Sequence, residues 1–129
     1  MIKCDISVVS ILDEETLLID IESEKEFELK DYEQLVIAAA ELGEGKKWYN
    51  LIQVGNNTIP NHFARVASTS QSGSIYKKAD AFVIHSSAQK IIANFYLNFH
   101  KPFVPTRFFN STAQAKSWLD SLKVGILSN

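Results

Sequence analysis

The sequence predicts an α/β fold over residues 1–129: a single domain with a five-stranded, mostly parallel (mixed) sheet and about four helices, ordered β-β-α-β-α-β-α-β-α. Three observations predict it. Runs rich in β-branched and aromatic residues alternate with stretches whose apolar residues recur at helical spacing, the pattern of strands joined by crossover helices. Ala79–His85 is apolar except for Asp80, as a central parallel strand covered on both faces must be. A chain of 129 residues with 46% hydrophobic and 22% charged positions has material for one core and not for several.

Each element has its own warrant. Ile6–Leu12 and Thr16–Ile21, separated by Asp13-Glu14-Glu15, read as an antiparallel hairpin with Leu17, Ile19 and Ile21 on one face. Residues 22–31 hold much of the acidic excess and read as a solvated loop, with Phe27 and Leu29 tucked inward. The first helix follows, because Tyr32, Leu35, Val36, Ala39 and Leu42 share a face, Asp31 with Gln34 makes a variant capping box, and Gly43 suits the residue after the end. Trp48–Val54 is a strand and Gly55–Thr58 a turn. Pro60 then opens a short helix with Phe63, Val66 and Ala67 as its inner face, and Ser68–Ser74 is a polar loop.

After the strand at 79–85, Ser86 with Gln89 opens a third helix. Its inner stripe is Ala88, Ile91, Ile92, Phe95 and Phe99, with Tyr96 off the centre, and His100-Lys101-Pro102 ends it. Phe103–Phe109 is the last strand, placed at an edge by Pro105. Ser111 with Gln114 caps a final helix that buries Ala115, Trp118, Leu119 and Leu122.

The residue chemistry excludes several classes of function. Cys4 is the only cysteine, so no disulfide within the chain and no Cys-rich zinc site is available, which fits a reducing cytoplasm. Met-Ile-Lys-Cys-Asp-Ile-Ser has none of the features of a signal peptide, and no apolar run approaches the roughly 20 residues of a membrane helix. The expectation is a cytoplasmic protein without stable membrane insertion. His62, His85 and His100 are scattered and lack acidic or Cys companions, so neither a metal nor another cofactor is expected. No nucleophile elbow, dinucleotide fingerprint or Walker lysine occurs, and beyond residue 45 only Asp80 and Asp120 are acidic. The expectation is therefore not an enzyme. Bases dispersed along a chain of net charge -2 argue against a nucleic-acid partner.

The segments Ala79-Asp80-Ala81-Phe82-Val83-Ile84, Ile92-Ala93-Asn94-Phe95-Tyr96-Leu97, His100-Lys101-Pro102, Pro105-Thr106-Arg107-Phe108-Phe109-Asn110 and Ala115-Lys116-Ser117-Trp118-Leu119 stand in a telling order. Together with the element order, they resemble the SpoIIAA-like branch of the STAS superfamily. More narrowly, they resemble small, uncharacterised STAS/SEC14-type proteins of Bacteroidetes bacteria. The likeness is closest over residues 79–119 and implies a regulatory or ligand-binding module. In anti-sigma-factor antagonists of the superfamily, a kinase phosphorylates a Ser or Thr at the start of the second helix, and the added charge breaks the complex. The resemblance places that position in Gly55–Pro60, with Asn56, Asn57 and Thr58 as the candidate partner loop and Thr58 as its only hydroxyl; the antagonists' Asp-Ser-x-Gly type signature is absent.

Two further groups are candidates on chemical grounds. His85, Ser86 and Ser87 close a parallel strand and open a helix, the edge at which open α/β sheets place ligands and where backbone N–H groups suit an anion. Phe95, Tyr96 and Phe99 make the third helix aromatic enough for a homodimer patch or the mouth of an apolar pocket. The leading expectation is a STAS-like module that binds a protein partner or a second copy of itself. The alternative is a small-molecule or lipid carrier with an apolar pocket near the third helix and last strand. Residues 1–45 carry 13 acids and 3 lysines, whereas residues 46–129 carry 10 bases and 2 acids, a division suited to steering oriented association.

Overall fold

The structure, a computed structural model, describes residues 1–99 and 101–128, without the side chains of Phe99 and residues 124–128. In chain order its elements are β1 (Ile2–Lys3), β2 (Ser7–Asp13), β3 (Thr16–Ile21), β4 (Glu26–Phe27), α1 (Leu29–Leu42), β5 (Trp48–Val54), β6 (Ile59–Pro60), α2 (His62–Thr69), β7 (Lys77–Val83), α3 (Ser87–Phe99), β8 (Thr106–Phe109) and α4 (Thr112–Ser128). A 3-10 turn, Ser72–Ser74, precedes β7. Six strands form one mixed sheet in the order β1-β2-β3-β5-β7-β8, and β4 and β6 form a separate two-stranded parallel pair. The expected α/β architecture is present, with the hairpin antiparallel and β3, β5, β7 and β8 parallel, but the sheet has six strands where five were expected, because the two-residue β1 adds to the edge of β2.

Alternation along the strands divides the core. Val9, Leu17, Ile19 and Ile52 pack under Tyr32, Leu35 and Ala38 of α1 and Ala64 of α2. On the opposite face, Tyr49, Leu51, Ala79, Ala81 and Val83 pack under Ala115 and Leu119 of α4. The small side chains of Ala79 and Ala81 let the α4 backbone come close to β7, whereas α3 stands back from the sheet on its own face. That asymmetry creates the site described below.

Several elements depart from expectation in ways that have local causes. Ile59–Pro60 is β6, paired with Glu26–Phe27, and does not begin the helix. Helix α2 starts behind Asn61, whose side chain accepts from the Ala64 N–H at 2.9 Å. This phase turns Ala64 inward and leaves Phe63 65% exposed and Val66 also exposed, the reverse of their expected positions. Helix α3 is rotated likewise: Gln89, Ala93 and Tyr96 are buried and Ile92 is half-buried, while Ala88, Phe95 and the 68%-exposed Ile91 face outward. Helix α1 begins at Leu29, with the Asp31 carboxylate accepting from the Glu28 N–H at 2.8 Å in place of the Asp31–Gln34 box. Gln34 instead bonds Asp5 through backbone and side chain. Phe27 is buried as expected, but Leu29 is exposed. Strand β8 is the expected edge, shorter than the run from Phe103, and His100 lies outside the described residues.

Candidate functional site

Between the sheet and α1, α2 and α3 lies a cavity of about 140 Å³. Its walls are mainly apolar, among them Ile52 and Phe82 of the sheet, Leu35 of α1, Ala64 of α2, and Ile92 and Ala93 of α3. The packing explains why space remains. Phe82 and Phe108 stack with centroids 4.9 Å apart, and Tyr96 meets Phe108 edge-on at 5.8 Å, so rigid rings hold α3 off the sheet. Beside them α3 presents the small methyl of Ala93, next to the half-buried Ile92.

Strand register makes one end of this cavity polar. Pairing of β5 with β7 sets Asn50 opposite Asp80, both buried among the cavity walls. Asn50 Nδ2 donates to Asp80 Oδ1 at 2.9 Å, and Lys77 Nζ reaches Asp80 Oδ2 at 2.9 Å and the Ser68 carbonyl at 3.3 Å. The Lys77 ammonium also lies 5.5 Å from the Tyr32 ring centroid. The Tyr32 hydroxyl donates to the Gly73 carbonyl at 3.0 Å, and the Tyr96 hydroxyl lies 3.3 Å from Ser68 Oγ. Burial works to lower the Lys77 pKa, but the Asp80 carboxylate outweighs it and holds the ammonium above its ordinary range. Burial raises both Tyr32 and Tyr96. The ionised pair is thus spent on itself, and the polar end carries no net charge from it.

At the other end, Gln89 ties the carboxyl edge of the sheet together. Its Oε1 accepts from the His85 and Ser86 N–H groups at 2.8 and 3.2 Å, and its Nε2 donates to the Gly55 and Thr58 carbonyls at 2.8 and 2.9 Å. Ser86 Oγ accepts from the Gln89 N–H at 3.1 Å, capping α3. Gly55 is required where it stands, because a Cβ there would collide with the Glu22–Ser23 backbone. Thr58 is 1% exposed, and its hydroxyl donates to the Glu22 carbonyl and accepts from the Lys25 N–H at 3.2 Å.

The sequence candidates therefore separate. Tyr96 lines the cavity, as does Thr58, whose hydroxyl fastens the loop and is not presented to solvent. Asn56 and Asn57 are exposed, held by Ser23 and Glu24 respectively. Ser86 is a helix cap, and the N–H groups of His85 and Ser86 are occupied by Gln89. His85, Ser87 and Phe95 face outward, and the side chain of Phe99 lies outside the described residues. Sequence reasoning missed Asn50, Lys77 and Gln89 as parts of one site, and treated Asp80 only as a blemish in an apolar strand. The available signal was a polar residue inside each of two central strands. Among the described residues, no group of three or more His, Cys, Asp or Glu is arranged to hold a metal ion, and no helix is long and apolar enough to cross a membrane.

Residues 10–123 match the family model of a domain of unknown function, DUF7793. The chain belongs to the DUF7793 family. A search of curated proteins finds no match to it. Among solved structures, this DUF7793 domain is similar to an uncharacterised protein of the DUF3478 family with a SpoIIAA-like fold from Shewanella loihica PV-4. The TM-score is 0.58 at 16% identity, over 88% of this chain and 91% of that one. The DUF7793 domain thus has the expected SpoIIAA-like α/β fold.

Proposed function

We propose that this DUF7793 domain is a non-enzymatic, STAS-like cytoplasmic module that binds a small apolar molecule between its sheet and α1–α3. The observation that carries the reading is the cavity. A comparable apolar cavity of about 150 Å³ takes up benzene. The volume lies below the roughly 300–1,000 Å³ of drug-sized pockets, which favours a guest of about one ring over a lipid chain. The non-enzymatic reading draws support from Asp80 and Lys77, which are committed to each other, and from His85, which is exposed while that pair is buried.

Thermal unfolding in rising concentrations of toluene tests the reading. A guest that binds only the folded state raises Tm with concentration. The rise is expected for the wild-type protein and not for Ala93→Leu, whose added carbons occupy the space. An equal response from both proteins, or from neither, would overturn the proposal.

A second reading, association with a protein partner or a second copy, is favoured by a different observation: Phe63 and Val66 on α2 and Ile91 and Phe95 on α3 turn large apolar side chains to solvent. Sedimentation should then show a mass that grows with concentration in the wild type and stays monomeric in Phe63→Ser with Ile91→Ser. A wild-type mass that stays monomeric at every concentration argues against self-association.

A further inference from the structure

We infer that the guest of the cavity is a small monocarboxylate, an apolar body with one anionic group that pairs with the Arg65 guanidinium; the inference rests on the cavity reading above. The charged residues lining the cavity do not cancel. Lys77 and Asp80 pair with each other, which leaves the positive charge of Arg65 over. A guanidinium stays protonated in a protein, so this charge is permanent. Arg65 makes no ion pair among the described residues. The later part of the chain has no acid to spare: beyond residue 45 the acids are Asp80 and Asp120, taken by Lys77 and by Lys116 and Lys123. Arg65 Nη1 donates to the Pro60 carbonyl at 2.6 Å, whereas Nε is buried without a hydrogen-bond partner among the described residues. A cation in an apolar wall ordinarily has a carboxylate beside it, and here the chain supplies none.

The place of Arg65 in α2 sets where such a group would sit. The Asn61 cap turns Ala64 inward, so Arg65, the next residue, falls at the border of the buried face and is half-buried. Its stem contributes to the cavity wall, and the bond to Pro60 of β6 holds the planar fork in place. Nη2 is neither hydrogen-bonded nor fully buried among the described residues, and it is the part of the fork left for a ligand. A carboxylate at this border keeps some of its water, and so escapes most of the desolvation cost it would meet deeper in the cavity. The hydrocarbon of the guest then lies against Ile52, Phe82, Leu35 and Ala93. A cationic guest would meet Arg65 as a like charge, and the volume of about 140 Å³ limits the body to about one ring. A compact aromatic or branched carboxylic acid satisfies these constraints.

Titration of the whole chain with benzoate, toluene and benzylammonium tests the inference, because the three share a ring and differ in charge. A charge-assisted hydrogen bond corresponds to about tenfold in affinity. Benzoate is therefore expected to bind about tenfold more tightly than toluene, and benzylammonium no more tightly than toluene. The ¹⁵N signals of the Arg65 guanidinium, followed by NMR, should move with benzoate and stay with toluene. Arg65→Met keeps an unbranched apolar stem without the charge, and should bring benzoate down to toluene or below while toluene binding, which reports an intact cavity, persists. Arg65→Lys is the second variant: it keeps the charge and loses the fork, so benzoate should weaken severalfold with toluene unchanged. Toluene or benzylammonium binding as tightly as benzoate, or a full benzoate preference in either variant, overturns the inference and leaves the cavity reading standing. Binding of none of the three removes both.

Discussion

Gln89 fixes a helix and a loop with one side chain. Its amide satisfies two N–H groups before α3 and two carbonyls of the 55–58 loop, all within 3.2 Å. Replacement by Leu, of similar size, leaves four backbone groups, one of them buried and three part-buried, without these partners. Urea unfolding of Gln89→Leu should show a loss of about 3 kcal/mol; a loss under about 0.5 kcal/mol would mean that solvent takes over these bonds. Thr58 acts on the same loop from the other side. Thr58→Val keeps the volume and removes the bonds to Glu22 and Lys25, and is expected to cost about 1–2 kcal/mol in the same assay. Lys77 and Asp80 obey a different rule, because removing one member strands the other as a buried charge. Lys77→Met alone should cost about 3–5 kcal/mol, and Lys77→Met with Asp80→Leu less than the sum of the two single changes. Strict additivity would show that the two charges are not coupled.

At the scale of elements, period revealed type but not phase. Trp48–Val54 carries the same bounds in sequence and structure, because its alternation and flanking turns leave little freedom. The two-residue strands β1, β4 and β6 are too short to carry a pattern. Helix α3 misleads for a more instructive reason: its outer stripe, Ala88, Ile91 and Phe95, is more apolar than its inner stripe, Gln89, Ala93 and Tyr96. The inner stripe must supply a bonded amide, a small cavity wall and a hydroxyl, so the features that make the site also disguise it. Asn50 and Asp80 were visible as exceptions in strands, but only register sets them opposite each other. The observed phase makes a clear forecast. Ile91→Ser should change stability by no more than about 0.5 kcal/mol, as exposed substitutions do, whereas Tyr96→Ala should cost about 3–5 kcal/mol as a buried aromatic. The opposite ranking in urea midpoints would rotate α3 back to the stripe that hydrophobicity alone selects.

Over the whole molecule, a tight layer under α4 is set against a looser one under α3, and charge follows a related division. Acids of the β2–β3 turn meet later bases, Lys123 reaching Asp13 at 3.4 Å and Lys78 lying 3.9 Å from Glu15, while Glu22, Glu24 and Glu26 stand at the other, carboxyl end of β3. Such surface pairs contribute little, so the pH response belongs mainly to the buried cluster. Lys77, Tyr32 and Tyr96 each have folded pKa values above their ordinary ones, Lys77 because Asp80 overcomes the effect of burial and the tyrosines because burial disfavours the phenolate. The folded state therefore holds these protons more tightly than the unfolded chain. Their stabilisation is complete below the ordinary values of 10.0 and 10.5, and is lost as pH rises through the higher folded values. Asp13 has the opposite sign. Burial opposes its charge, but bonds from the Glu15 N–H, Thr16 and Lys123 lower its pKa, so its contribution exists above 3.8 and fades as pH falls. With its side chain 38% exposed, that contribution is small. Denaturant midpoints should consequently decline above about pH 10, with tyrosinate absorbance from Tyr32 and Tyr96 appearing as the protein unfolds. In Tyr32→Phe with Tyr96→Phe the decline should be shallower, since only Lys77 still contributes. An equally steep decline in that variant would locate the alkaline sensitivity outside the cavity cluster.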